Sequence, residues 1–226
     1  MMSKHIYISC LCVLVAWLGC TKKPSTYYPL EEGKSWEYQL STSSLSIGIG
    51  ATKLVMINQA KRELFGRTVV PQKLDLGNQS RFFFIAEDED GIYYFAEQSP
   101  RDVEPKVKAP PNYIIPYPIE IGRMWQTETT TQLLGDKITI TLESTLEKVD
   151  ETITVSAGTF EKCIKVVSRG STTKNLAPFM GTANITVEEH YWYARGVGLV
   201  KSIRKEQSNH MMLGSGEISL QLVKFQ

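Results

Sequence analysis

One ten-residue phrase occurs twice in this chain. Tyr28-Pro-Leu-Glu-Glu-Gly-Lys-Ser-Trp-Glu37 and Tyr117-Pro-Ile-Glu-Ile-Gly-Arg-Met-Trp-Gln126 agree at Tyr, Pro, Glu, Gly and Trp, 89 positions apart. In each copy Pro fixes an extended approach, Gly permits a tight turn, and Trp36 or Trp125 opens a strand with a large apolar face. Fainter parallels follow in the same order. Lys53-Leu-Val-Met-Ile57 parallels Lys137-Ile-Thr-Ile-Thr141, Phe65 to Val70 parallels Phe160 to Lys165, and Phe82 to Phe95 parallels His190 to Val200. A unit this long exceeds the short repeats of solenoids. It implies a single β-rich domain over 28–226, made of two similar β-meander halves, about 28–116 and 117–226. The halves either share one sheet or pack as two lobes.

Strand signals dominate both halves. Ile138-Thr-Ile-Thr-Leu142 and Ile218-Ser-Leu-Gln-Leu222 alternate at period two. Phe82 to Ala86 and Ile92 to Ala96 flank Asp90-Gly91, a hairpin signal because Gly supplies the positive φ that the turn requires. The only helical candidates, Asn58 to Leu64 and Glu143 to Glu151, are short and lack an apolar face. The expected class is all-β: a curved, mainly antiparallel sheet or sheets, half-barrel or sandwich-like. Six of the ten prolines fall in Pro100 to Pro118. With Tyr113, Ile114, Ile115 and Tyr117 inside it, the segment is too apolar for a linker and is expected to be a long surface crossover.

The N-terminus predicts export. Lys4 and His5 precede thirteen mostly apolar residues, Ile6 to Leu18, too few to span a bilayer but suited to a signal peptide over 1–19. Leu18-Gly19-Cys20 resembles the lipobox of bacterial lipoproteins, with Trp17 where an aliphatic residue is usual. The resemblance implies cleavage before Cys20, lipid on its thiol and a tether over 20–27. Each buried CH₂ would contribute about 0.8 kcal/mol to anchoring. Cleavage removes only Lys4 among the charges, leaving 24 basic against 24 acidic residues. The lipid, rather than a basic patch, would then hold the protein to its membrane. Thr21 is not the Asp that retains enteric lipoproteins at the inner membrane, which points to the outer membrane of the cell envelope. Of the four cysteines, Cys10 and Cys12 leave with the signal. Cys163 is then alone and is expected to be a small core residue in a strand.

Three further stretches carry a wider resemblance. Tyr27-Tyr-Pro-Leu…Gly33…Trp36-Glu-Tyr38, Ser156-Ala-Gly-Thr-Phe160 with Cys163, and Tyr191-Trp-Tyr-Ala-Arg-Gly-Val-Gly-Leu-Val-Lys201 are similar to an uncharacterised family of bacterial lipoproteins. That family shows these motifs in this order across the mature chain, with Pro where Ser156 stands here. The resemblance implies a curved antiparallel sheet and an envelope location, and no chemistry.

Function is bounded mainly by exclusion. Lys+Arg is 25 against Asp+Glu 24, so no basic excess suggests nucleic acid. The Glu87 to Asp90 cluster lacks calcium-loop spacing and is expected to be a solvated turn. In Glu188-Glu189-His190, strand alternation puts Glu188 and His190 on one face and Glu189 on the other, so no metal site is expected. With no nucleophile elbow, Cys/His pair or P-loop, neither an enzyme nor a cofactor is expected. Two roles remain. The first is a tethered scaffold, the expected role, that presents the Pro110 to Pro118 segment to an envelope protein partner. The other is a carrier of an apolar ligand on the concave face, motivated by Phe82 to Phe84, Tyr93 to Phe95 and Tyr191 to Tyr193. A carrier needs an internal cavity, whereas a scaffold needs a filled core and an exposed apolar patch.

Overall fold

A computed structural model of the chain describes residues 26–44, 52–75, 80–131, 133, 138–176, 181–211 and 213–226. Its regular elements are all strands: β1 (Ser35–Ser44), β2 (Thr52–Asn58), β3 (Arg62–Leu64), β4 (Arg67–Asp75), β5 (Ser80–Asp88), β6 (Gly91–Gln98), β7 (Lys106–Pro116), β8 (Met124–Thr130), β9 (Thr139–Val155), β10 (Gly158–Asn175), β11 (Thr182–Ala194), β12 (Gly198–Ser208) and β13 (Ser215–Phe225). They form one antiparallel sheet in the order β7-β6-β5-β4-β2-β1-β13-β12-β11-β10-β9-β8, with β3 on β4. The chain thus runs outward from β1 to β7, crosses to β8, and returns in sequence to β13. The last strand pairs with the first, from Trp36 opposite Phe225 to Ser44 opposite Gly216. The sheet curls until β7 and β8 face each other. There the described residues form no ladder, only Trp125 Nε1 donating to Tyr113 O (3.0 Å) and Asn112 Nδ2 donating to Glu128 O (3.1 Å). The result is a barrel with one seam, in the middle of the sequence.

The proline-rich segment is therefore not a surface crossover. Residues 106–116 are the edge strand β7, paired only with β6, with Ile114 and Ile115 buried. An edge tolerates proline because half of its N–H groups lack ladder partners in any case. Pro110, Pro111 and Pro116 also blunt an edge that would otherwise template pairing with another chain.

The duplicated phrase builds the same turn twice. Gly33 N donates to Asn58 O (3.0 Å) and Gly122 N to Leu146 O (2.9 Å); Asn58 N returns to Lys34 O (2.9 Å) and Leu146 N to Arg123 O (3.0 Å). Both glycines are left-handed, with φ of 80° and 86°. A Cβ there would cost about 1–2 kcal/mol. Ser35 faces Ile57 across β1–β2, and Met124 faces Thr145 across β8–β9. The ladder thus aligns Lys53–Ile57 with Thr141–Thr145, four residues later than the sequence parallel suggested. The sequence match followed β-branched alternation, which repeats every two residues and does not fix register.

Each half also folds a hairpin against its own strands, the first of them over the outer face of the sheet. The β3–β4 hairpin places Leu64 and Val69 against Phe84, Ala86, Tyr93 and Ala96. The β9–β10 hairpin places Ile153, Val155 and Cys163 against Trp192, Ala194, Val200 and Leu222, with Ala157 N donating to Leu222 O (3.0 Å). Cys163 is fully buried. Burial, with Glu151 nearby, pushes its thiol up to about 11, so it stays protonated packing material.

Candidate functional site

Cys20 lies outside the described residues. The described chain begins at Thr26, whose carbonyl accepts from Gly196 N (2.7 Å). Tyr27, the last residue of the expected tether, is only 6% exposed and belongs to the core, as does Tyr28. Tyr28 then enters the barrel. Its hydroxyl donates to Gln72 Oε1 (2.9 Å), and Gln72 Nε2 donates to Asn58 Oδ1 (3.0 Å).

The aromatic runs split between the two faces of the sheet, because side chains alternate along a strand. Phe82 and Phe84 pack in the outer cluster, while Phe83 faces inward; Tyr93 packs outside and Tyr94 inside. Tyr191 and Tyr193 face inward, and Trp192 stacks with His190 on the opposite face. Phe83, Tyr94, Tyr191 and Tyr193 therefore line the barrel interior, and the other members of the runs do not.

That interior is not filled. It holds two lobes that share Phe83, Tyr94, Glu189, Tyr191, Tyr193 and Arg204 as lining. The first, of about 260 Å³, is walled by Tyr38, Leu54, Met56, Leu74, Leu199 and Leu220 and is largely apolar. The second, of about 380 Å³, reaches the seam and is bounded by Arg81, Lys108, Asn112, Trp125, Thr127 and Ser144. Its wall carries a hydroxyl chain, with Thr127 Oγ1 3.0 Å from Ser144 Oγ and Ser144 Oγ 2.7 Å from Ser168 Oγ. The larger lobe alone falls within the ~300–1,000 Å³ usual for small-molecule pockets.

A charged cluster stands between the lobes. Arg204 on β12 binds Glu189 on β11 and Glu206 on its own strand (2.6 Å), and reaches across the barrel to Thr129 Oγ1 (2.5 Å) and Thr130 O (2.6 Å) of β8. Thr131 Oγ1 (2.6 Å) and Leu133 N (3.2 Å) donate to Glu206 Oε2, and Tyr191 O–H donates to Glu189 Oε2 (2.8 Å). No buried side-chain nitrogen or oxygen among the described residues lacks a partner. The tyrosines around the cluster are held neutral. Desolvation raises Tyr28, Tyr38, Tyr191 and Tyr193 well above the ordinary value, and Tyr94 to about 12.

On the outer face, Glu188 and His190 do pair, and Arg169 Nε lies 3.4 Å from Glu188. The His190 hydrogen bond, ahead of the Arg169 charge, holds the Glu188 carboxyl below the usual range. No group of three or more potential metal-ligating side chains occurs among the described residues. Sequence reasoning placed Glu189 on the opposite face correctly but missed what it meets there. The available signal was the inward row Glu189, Tyr191, Tyr193 beside Arg204 and Glu206.

Residues 128–215 match the model of the DUF3108-like family. That stretch holds Glu189, Tyr191, Tyr193, Arg204 and Glu206. Two solved structures are similar to the chain. One is a candidate lipoprotein from Parabacteroides distasonis ATCC 8503, 15% identical, covering 91% of this chain and 100% of that one, with a TM-score of 0.43. The other is a candidate exported protein with a YmcC-like fold from Bacteroides fragilis NCTC 9343, 15% identical, covering 89% and 99%, with a TM-score of 0.38. No curated protein matches the chain.

Proposed function

We propose that this chain is a lipid-anchored protein of the bacterial cell envelope, attached through Cys20 and facing the periplasm from the outer membrane. In this reading it binds an apolar or amphiphilic ligand inside its barrel and catalyses no reaction. The anchoring rests on Leu18-Gly19-Cys20 directly after an apolar stretch of signal-peptide length. The binding role rests on one observation, the two-lobed interior beneath the aromatic strands. A scaffold would instead need the Pro110 to Pro118 segment as an apolar surface, and its Ile114 and Ile115 are buried. Native mass spectrometry with solvent extraction, on the chain begun at Thr21, tests the reading without the anchor's own acyl groups. The expected result is a stoichiometric bound amphiphile that disappears in Leu220→Trp, which fills the apolar lobe. A clean unliganded mass from gently purified protein would return the scaffold to first place. Cys20→Ala should release the protein from membranes, and an unchanged membrane fraction would sink the anchor.

A further inference from the structure

Three cations line the larger lobe, and they differ in what they meet. Arg204 is bound by Glu189 and Glu206, and Lys108 lies 3.3 Å from Glu97. Arg81, half-buried in the same wall, has no carboxylate partner among the described residues. It shares the inward row of β5 with Phe83 and lies opposite Leu74, so one side of it leads to the seam and the other to the apolar lobe. Glu128 also borders this lobe, but it is exposed, one position out of phase with Thr127 and Thr129, which face inward. The neutral tyrosines between the lobes offer faces to an alkyl chain and no competing anion.

We propose that the ligand is a single-chain amphiphile with an anionic head, carboxylate or phosphate. Its head sits at Arg81 in the seam-side lobe, and its chain passes Phe83, Tyr94 and Tyr191 into the lobe of Leu54, Met56 and Leu220. This rests on the reading of the interior as a binding cavity and adds the sign of the head and its direction. A partly desolvated guanidinium favours an anion because the charge-assisted hydrogen bond replaces water that the wall already excludes.

Photolabelling tests it on the full chain in isolated membranes, with diazirine forms of decanoic acid, decyl phosphate, decanol and decyltrimethylammonium. The anionic probes should label peptides of β2, β5 and β13 about tenfold more than decanol does, as one charge-assisted hydrogen bond allows. Arg81→Lys should retain that preference, Arg81→Gln should erase it, and Arg81→Glu should shift it toward the ammonium probe. The stronger of the two anionic probes identifies the head. Equal interior labelling by all four probes, unchanged in Arg81→Gln and Arg81→Glu, would overturn the anionic assignment and leave the cavity's binding role standing. Failure of every probe to label interior peptides would overturn the binding role itself.

Discussion

The two halves of the barrel meet twice, and the two meetings are built differently. At β1–β13 they share a ladder from Trp36–Phe225 to Ser44–Gly216. At β7–β8 they share two bonds, each from a side chain to a backbone carbonyl. A barrel needs closure to remove its edges, and here the termini supply the closed side. The weak side lies where the larger lobe reaches the wall. Backbone pairing thus joins the halves on one side of the sheet, and side-chain bonds to the backbone join them on the other.

The seam edge is held from within. Arg204 ties β8 to β12 through Thr129 and Thr130, and Arg204→Met would leave Glu189 and Glu206 buried without their cation. The expected loss is about 3–5 kcal/mol in chemical denaturation. Hydrogen exchange should accelerate first in β8, and uniform acceleration would show that the strut does not serve the seam. Leu222→Ala tests the closed junction, where the side chain is fully buried beside the β9–β10 hairpin. It should cost about 2–5 kcal/mol and leave β7–β8 exchange nearly unchanged.

Alkali probes the interior that joins the halves. Burial pushes the Tyr94 phenol, from the first half, up from its ordinary 10 to about 12; Glu189 and Glu97 add to the rise and a hydrogen bond with Tyr28 opposes it. A tyrosine whose folded pKa is raised contributes its full stability below pH 10. That contribution falls as the unfolded phenol ionises, by roughly 2 kcal/mol at pH 12 from Tyr94 alone. Tyrosinate absorbance should therefore rise together with unfolding above pH 10. Phenols that ionise ahead of unfolding would show an interior open to water. The smallest effect belongs to Trp125→Phe, which removes the Nε1 bond to Tyr113 O. It should cost about 1 kcal/mol and loosen β7 and β8 alone.

Much of the fold was legible because its signals are local. Each Tyr-Pro…Gly…Trp phrase holds its own turn, and Asp90-Gly91 joins adjacent strands. Register was not legible, since Thr141–Thr145 and Lys137–Thr141 carry much the same alternation. The Pro110–Pro116 strand was missed because proline counts against strands in general, while its tolerance at an edge depends on where the edge lies. The cavity was half visible in the aromatic runs. Its charged cluster was not, because Arg204 and Glu206 meet threonines 75 residues earlier in the chain, and isolated charges on strands ordinarily face water.

The pairing of β1 with β13 also sets an order of events. A chain emerging from its N-terminus completes β1 early, yet the partner of that edge, Ser215–Phe225, is made only after all the other strands described. Until then one side of β1 stays an unpaired template, and the ladder that closes the barrel joins the first and the last of the thirteen strands. Closure of this kind is slow, because the entropy of a very long loop is lost before its contacts form. The chain is thus most aggregation-prone while β1 waits for its partner, and the pairing of β13 ends that interval.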